Sequence, residues 1–282
     1  MKTIASLKKD LEFNKGLSSL LEVLKAIAVS QYRTLEQKLK TFEKLTSGIE
    51  SFFEFVDVPV ISHAFLNPTV KQQAVVAVTS DSGLLGSLNM HVINDAILEL
   101  ERIPGKLIVI GEKGKAYVRD TNIPFVAFGG IVDEERHAQA MQLRDYLVTK
   151  ALQGEFGYLK VVYPHPVSFT VQKVKTIQFL PFVPSVQPQL HEGFMPEVIL
   201  ESSLSNILEY LVHLWIGQKL YEIFGLSRLA EFAARFVHLE ESSQKLKELD
   251  SKTKLEYFRV RHELVDRNMR ELFAARLLYA NR

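Results

Sequence analysis

The chain contains no cysteine. That excludes disulfides, cysteine nucleophiles and thiolate metal sites, and it fits a reducing compartment. Proline is missing from both ends: all 10 prolines lie between Pro59 and Pro196, leaving 58 proline-free residues before them and 86 after. A proline inside a helix costs about 3 kcal/mol, so both ends are free to form very long helices. An excess of one charge is missing too: 34 basic residues face 33 acidic ones, for a net charge of +1. No overall imbalance points to nucleic acid or to a membrane surface. Long uninterrupted apolar runs are absent as well. The most apolar late stretch, ILEYLVHLWIGQKLYEIFGL, carries Glu209, Lys219 and Glu222, whereas a spanning helix needs about 20 apolar residues with few charges. MKTIASLKKDLEFNKG has no apolar core of signal-peptide type. A soluble chain is expected, with 47% apolar residues supplying a real core.

Catalytic patterns are also missing. The eight histidines never pair at HxH, HxxH or HExxH spacing, so no metal site is expected. Glu134, Glu135 and His137 sit together but read as a solvated helix start. No serine occupies a G-x-S-x-G elbow, and no acid–base set converges. We expect no active site in this chain alone, no bound cofactor and no internal repeat.

What is present divides into two arms and a middle. In the first arm Tyr32, Leu35, Leu39, Phe42, Ile49, Phe53 and Val56 keep a 3-4 spacing, with Thr46 the polar exception. Ile4, Leu7, Leu11, Leu21 and Ala28 extend that frame upstream, interrupted by Asn14, Ser18 and Lys25. This predicts a coiled-coil seam with weak, polar members. In the last arm Leu229, Phe232, Phe236, Leu239 and Leu246 fit one frame, with Ser243 polar, and Tyr257, Val260 and Leu264 resume it 11 residues after Leu246. That gap predicts a stutter. The stretch 240–256, with Leu246, Leu249 and Leu255 its only large apolar residues, predicts a solvated helix.

The middle alternates short apolar runs (AVVAVTS, KLIVIG, IPFVAFGG, LKVVYP) with helix-like segments near 87–102, 112–121 and 134–153. Such alternation predicts βαβ units in a mostly parallel sheet. Residues 169–182 read as an antiparallel edge strand or hairpin partner, and PFVPSVQPQLHEGFMP as a linker. The expected organisation is an N-terminal coiled-coil helix over 1–58, a Rossmann-like α/β domain over 59–196 and a C-terminal coiled-coil helix over 197–282. If the arms pair, they form a long antiparallel coiled-coil shaft whose open end holds both termini.

The sharpest local motif is SDSGLLGSLN at 80–89, between a strand and a helix. Gly83 and Gly86 would let backbone approach a phosphate, but there is no third glycine and no P-loop lysine. A tight turn without ligand is the better reading. Gly111 and Gly114 read as a second such turn. Arginines 259, 261, 267, 270, 276 and 282 crowd the end of the last arm, with Glu256, Glu263, Asp266 and Glu271 interleaved. Acidic protein loops or water suit that surface better than nucleic acid. The apolar tail, with Leu272, Phe273, Leu277, Leu278 and Tyr279, asks for a socket. On the residues alone, a shaft serving partners, a stand-alone coiled-coil scaffold and a small-molecule-binding α/β protein all remain open.

Three stretches carry a family resemblance over nearly the whole chain. LKAIAVSQY is similar to the N-terminal helix of F-type ATP synthase gamma subunits, with Leu24 in place of the usual methionine and with Ala28 and Ser30 matching. SDSGLLGSLN is close to that family's Ser-Asp-x-Gly-Leu-x-Gly-x-x-Asn, so Ser80, Asp81, Gly83, Leu84, Gly86 and Asn89 match. AEFAARFVHL and KLEYFRVRHEL resemble its C-terminal helix at Ala233, Ala234, Arg235, Tyr257 and Arg261. The match departs where glutamine and Thr-Gln-Glu are usual and His262, Asp266, Arg267 and Asn268 stand instead.

The resemblance implies a rotor shaft that binds no nucleotide. It implies alpha and beta subunits, an epsilon subunit and a membrane c-ring as partners, and a place peripheral to the inner membrane on its cytoplasmic side. It assigns contacts with the catalytic head to Leu24, Lys25, Tyr257, Arg261, His262, Leu272 and Leu277, and a structural turn to Ser80, Asp81, Gly83, Gly86 and Asn89. LKAIAVSQY looks nearer to the laterally spread, often sodium-linked branch than to the commonest bacterial form.

Overall fold

The computed structural model describes residues 3–39, 63–183 and 202–280. In chain order these form α1 (Ile4–Leu39), β1 (Gln73–Val78), α2 (Leu88–Arg102), β2 (Gly105–Ile110), α3 (Glu112–Arg119), β3 (Phe125–Phe128), α4 (Arg136–Leu152), β4 (Tyr158–Pro166), β5 (Gln172–Leu180) and α5 (Leu204–Ala280). Each long helix occupies a proline-free arm. The chain divides into two compact units, Val29–Arg235 and Met1–Ala28 with Phe236–Arg282. The sequence-derived boundaries at 58/59 and 196/197 lie outside the described residues, as do Phe42, Thr46, Ile49, Phe53 and Val56.

In the larger unit the five strands run in the order β3-β2-β1-β4-β5. β1 pairs in parallel with β2 and β4, β2 with β3, and only β5 is antiparallel, against β4. The alternation of strand and helix thus gives the expected sheet, with 172–180 as its antiparallel edge. β1 is buried along its whole length, which is why QAVVAV reads as a continuous apolar run rather than an alternating one. Its two faces feed two cores. Ala74, Val76 and Val78 pack with Ile108, Leu143, Leu147 and the α5 residues Val212, Trp215, Ile216, Leu220 and Phe224. Val75, Ala77, Leu107 and Val109 pack with Val92, Ile93 and Ala96 of α2 and Val118 of α3. At about 25 cal/mol per Å2 of apolar surface removed from water, these clusters are the main source of the unit's stability.

β5 closes the sheet on one side. Its residues alternate between half-buried and exposed from Gln172 to Lys175, Thr176 is exposed as well, and Lys173 and Lys175 are open to solvent.

A separate cluster holds the last turns of α1 against α5: Tyr32, Leu35, Leu229, Phe232 and Ala233, with Phe169 from the β4–β5 turn stacked edge-on against Tyr32 at 4.8 Å between ring centres. This is the apolar part of the predicted seam.

In the smaller unit α1 and α5 run antiparallel. Leu21, with Leu17 and Leu24 beside it, packs on Leu239 and Leu246, and Lys25 reaches Glu240. The expected stutter does not exist. Leu239, Leu246, Thr253 and Val260 stand seven apart, with Phe236, Ser243, Asp250 and Tyr257 between them at the alternate heptad position. Ser243 and Thr253 are buried although polar, so an unbroken heptad was hidden by its hydrophilic members. The stretch 240–256 is accordingly not a solvated helix throughout: Ser243, Leu246 and Thr253 face the seam, while Leu249 and Leu255 are exposed.

Candidate functional site

The loop SDSGLLGSLN follows β1 and enters α2, at the point where the chain turns to β2 on one side of β1 and β4 lies on the other. Doubly wound sheets bind ligands in the crevice at such a reversal. Here the loop is bound by its own side chains. The Ser80 amide donates to Asn89 Oδ1 at 3.2 Å, Asn89 Nδ2 donates to Ser80 Oγ at 2.8 Å, and Ser80 Oγ donates to the Ser82 carbonyl at 2.8 Å. Asp81 accepts the Glu112 amide at 2.8 Å, placing a carboxylate at the N-terminus of α3 where the helix dipole favours it. Gly130 lies against that carboxylate: a Cβ there would come within 2.1 Å of Asp81 Cγ, so only glycine admits the contact. Gly86 has φ of 59° and, unexpectedly, Leu84 has φ of 64°. Gly83 keeps open space, with Lys113 Cε the nearest atom to its virtual Cβ at 3.8 Å. Gly114 serves close packing, since its amide donates to Thr79 Oγ1 at 3.0 Å and a side chain would strike that residue.

α5 crosses the same edge of the sheet. Arg235 donates to Ser82 Oγ at 2.8 Å. One turn earlier lies the buried Glu231, which accepts from Arg228 at 2.7 Å. Arg228 in turn grips both carboxylate oxygens of Asp133, in the turn before α4, at 3.1 Å each. Both guanidiniums rest on the Phe232 ring, 4.8 and 5.8 Å from its centre. Burial outweighs the two arginines and pushes the Glu231 carboxyl up to about 7. Sequence reasoning noticed Arg235 only through the family match and missed Arg228, Glu231 and Asp133. The available signal was charge at i, i+3 and i+7 inside an otherwise apolar helix.

The smaller unit holds most of the predicted contact residues. Leu24 is half-buried beside Leu21, Leu239 and Leu246. Lys25 is only 8% exposed, in the seam itself, and donates to Glu22 and Glu240 at 2.8 Å each. Hydrogen bonds to Glu22 first and Glu240 second hold its pKa above the ordinary lysine value. Its charge is therefore used within the coil. Around Leu11, Asn14 and Ser18 of α1 and Leu246, Asp250 and Tyr257 of α5 an open groove of about 620 Å3 remains, because short polar side chains fill the seam poorly. Tyr257 is half-buried there, whereas Arg261 and His262 are exposed.

From Arg261 to Arg276 every residue of α5 is exposed. Leu272 is 67% and Phe273 60% open, with Leu264, Val265 and Met269 beside them. Leu277 is helical, and its side chain lies outside the described ones. Among the described residues there is no group that could hold a metal ion, and no helix long and apolar enough to cross a membrane.

With this geometry in place, the chain can be set beside known proteins. A family model described as ATP synthase matches residues 3–275. The ATP synthase gamma chain of Symbiobacterium thermophilum is 31% identical over 208 residues, covering 73% of this chain and 70% of that one. That of Pelotomaculum thermopropionicum is 22% identical over 278 residues, covering 96% and 97%. Among solved structures, the rotor of the Euglena gracilis mitochondrial ATP synthase superposes with a TM-score of 0.68 at 16% identity, covering 93% of this chain and 98% of that one. The central stalk and c-ring structure of the Tetrahymena thermophila enzyme gives a TM-score of 0.62 at 18% identity, covering 79% and 99%. A match that takes in both helical arms and the sheet between them is to the architecture as a whole, and the chain belongs to the ATP synthase family, alongside its gamma chains.

Proposed function

We infer that the chain is the central-stalk shaft of a rotary F-type ATP synthase, a non-catalytic subunit that couples ion flow through a membrane ring to ATP synthesis or hydrolysis in a catalytic head. The observation that carries this reading, beyond family membership, is the bare end of α5. A helix whose residues 261–276 all face outward, with Leu272 and Phe273 largely open, needs a housing from other chains. A ring of alpha and beta subunits would supply it, touching Tyr257, Arg261, His262, Leu272 and Leu277. Lys25, turned into the seam, would support that surface from within rather than touch the ring. An epsilon subunit and the c-ring complete the set of partners, and the complex sits at the cytoplasmic side of a bacterial inner membrane. The similarity of LKAIAVSQY favours the laterally spread branch.

No nucleotide is assigned to this chain. The reading is supported by the phosphate-loop position: Ser80 and Asn89 bond each other, and Ser82 is taken by Arg235.

The test is gentle purification of the tagged chain from its host, with native mass spectrometry and an ATPase assay. One copy recovered with three each of two larger nucleotide-binding subunits, and ATPase activity, is the expected result. Recovery alone or as a homodimer, without activity, would favour the stand-alone scaffold.

A further inference from the structure

The charged cluster on α5 has a geometry that apolar packing does not explain. Arg228 and Arg235 are seven residues apart, so they project from nearly the same side of the helix about two turns, or roughly 10 Å, apart. Each reaches a different loop at the C-terminal edge of the sheet. Arg228 forks onto Asp133 after β3, and Arg235 bonds Ser82 after β1. Glu231 stands between them on the same helix face, buried, and accepts a hydrogen bond from Arg228. Two guanidiniums thus face two carboxyl groups within one cluster. Arg235 is the last residue of the larger unit.

Apolar contacts are non-directional and roughly proportional to area, so a helix seated only on Leu229, Phe232 and Ala233 can turn a little about its axis at small cost. Hydrogen bonds weaken steeply as their angle falls, and a bidentate arginine–carboxylate pair fixes a plane as well as a distance. A bidentate grip on Asp133 and a single hydrogen bond to Ser82, made from one helix face to separate loops, oppose rotation of that helix against the sheet.

We propose that Asp133, Arg228, Glu231, Arg235 and Ser82 form a torque clamp, holding α5 in rotational register with the sheet so that twist applied to one is delivered to the other. The proposal rests on the rotor reading above. Glu231 is a positioning residue within it, orienting Arg228 through its hydrogen bond, and Ser82 and Asp133 are the anchor points.

The experiment uses the whole membrane complex containing this chain. Single complexes are fixed through the catalytic head, a bead is attached to the sheet domain, and the bead's angular variance is recorded with the head stalled. Arg235→Ala and Asp133→Ala are each expected to raise the variance at least twofold. ATP hydrolysis should stay within about twofold of the parent, and ion-driven ATP synthesis should fall further than hydrolysis. Arg235→Lys, which keeps charge but not the planar fork, is expected to lie in between. Where an alanine variant does not assemble, Ser82→Ala removes a single hydrogen bond on the exposed side and takes its place. Parental variance in the assembled variants overturns the clamp, even with a lowered melting temperature, since that outcome marks the cluster as merely structural. Failure of the parent chain to assemble with a catalytic head overturns the rotor reading instead.

Discussion

α1 and α5 meet in two chemically different ways. In the larger unit their contact is made by Tyr32, Leu35, Leu229, Phe232 and Ala233, all buried and apolar except for the tyrosine hydroxyl. In the smaller unit the same heptad continues with Asn14, Ser18 and Lys25 on one helix and Ser243, Asp250 and Thr253 on the other. The first pairing supplies stability. The second supplies register, because a buried polar member at a seam position is satisfied only in one alignment, and it leaves an incompletely filled groove. The pairing in the larger unit is thus firm and the pairing in the smaller unit soft. Stability and specificity need not come from the same turns.

The comparison breaks most sharply at its apolar member. Phe232→Ala is expected to cost about 4 kcal/mol, the usual range for emptying a buried aromatic site, whereas Leu246→Ala in the polar seam should cost about 2 kcal/mol, because the groove beside it can relax. Urea denaturation of both variants checks this, and equal costs would show the two segments to be packed alike.

Next in size is the pH response of the junction. The Glu231 carboxyl has a folded pKa of about 7 against 4.5 when unfolded. Between those values the folded chain holds a proton that the unfolded chain has lost. Stability therefore falls as pH rises from 4.5 to 7, by up to on the order of 3 kcal/mol. Glu231→Gln should remove this component, so the difference in unfolding free energy between parent and variant should change across pH 5 to 7.5. A constant difference would refute the shift.

The lysine of the soft seam gives a smaller effect, with the opposite sign. Lys25→Met replaces a buried charge by a side chain of similar length and should be neutral or stabilising by about 1 kcal/mol. Removing both Glu22 and Glu240 should destabilise instead. Smallest of all, Arg259→Ala breaks a pair with Glu263 that is open to solvent and should change the melting free energy by less than about 0.5 kcal/mol.

The sheet was readable because its strands are apolar runs punctuated by Gly and Pro, and the long helices because proline is confined to the middle. The loop at 80–89 was legible from Gly83 and Gly86 between a strand and a helix, and the family resemblance then supported reading it as a structural turn. The continuous heptad was not readable, since Asp250 and Thr253 look like surface residues in a pattern that counts only apolar ones. Nor was the Arg228–Glu231–Arg235 cluster, because helical spacing alone does not distinguish a solvated ion pair from one enclosed by loops that are distant in sequence. Leu84 was unreadable for a different reason: a left-handed backbone is expected at glycine, and here a leucine beside Gly83 adopts it.

The outer edge of β5 has a consequence of its own. An unpaired strand edge invites the same strand of another molecule to join it. Here the inviting face carries Lys173 and Lys175 in the open, and stacking two copies would set like charges side by side. Exposed lysines on this strand therefore oppose its pairing with a copy of itself.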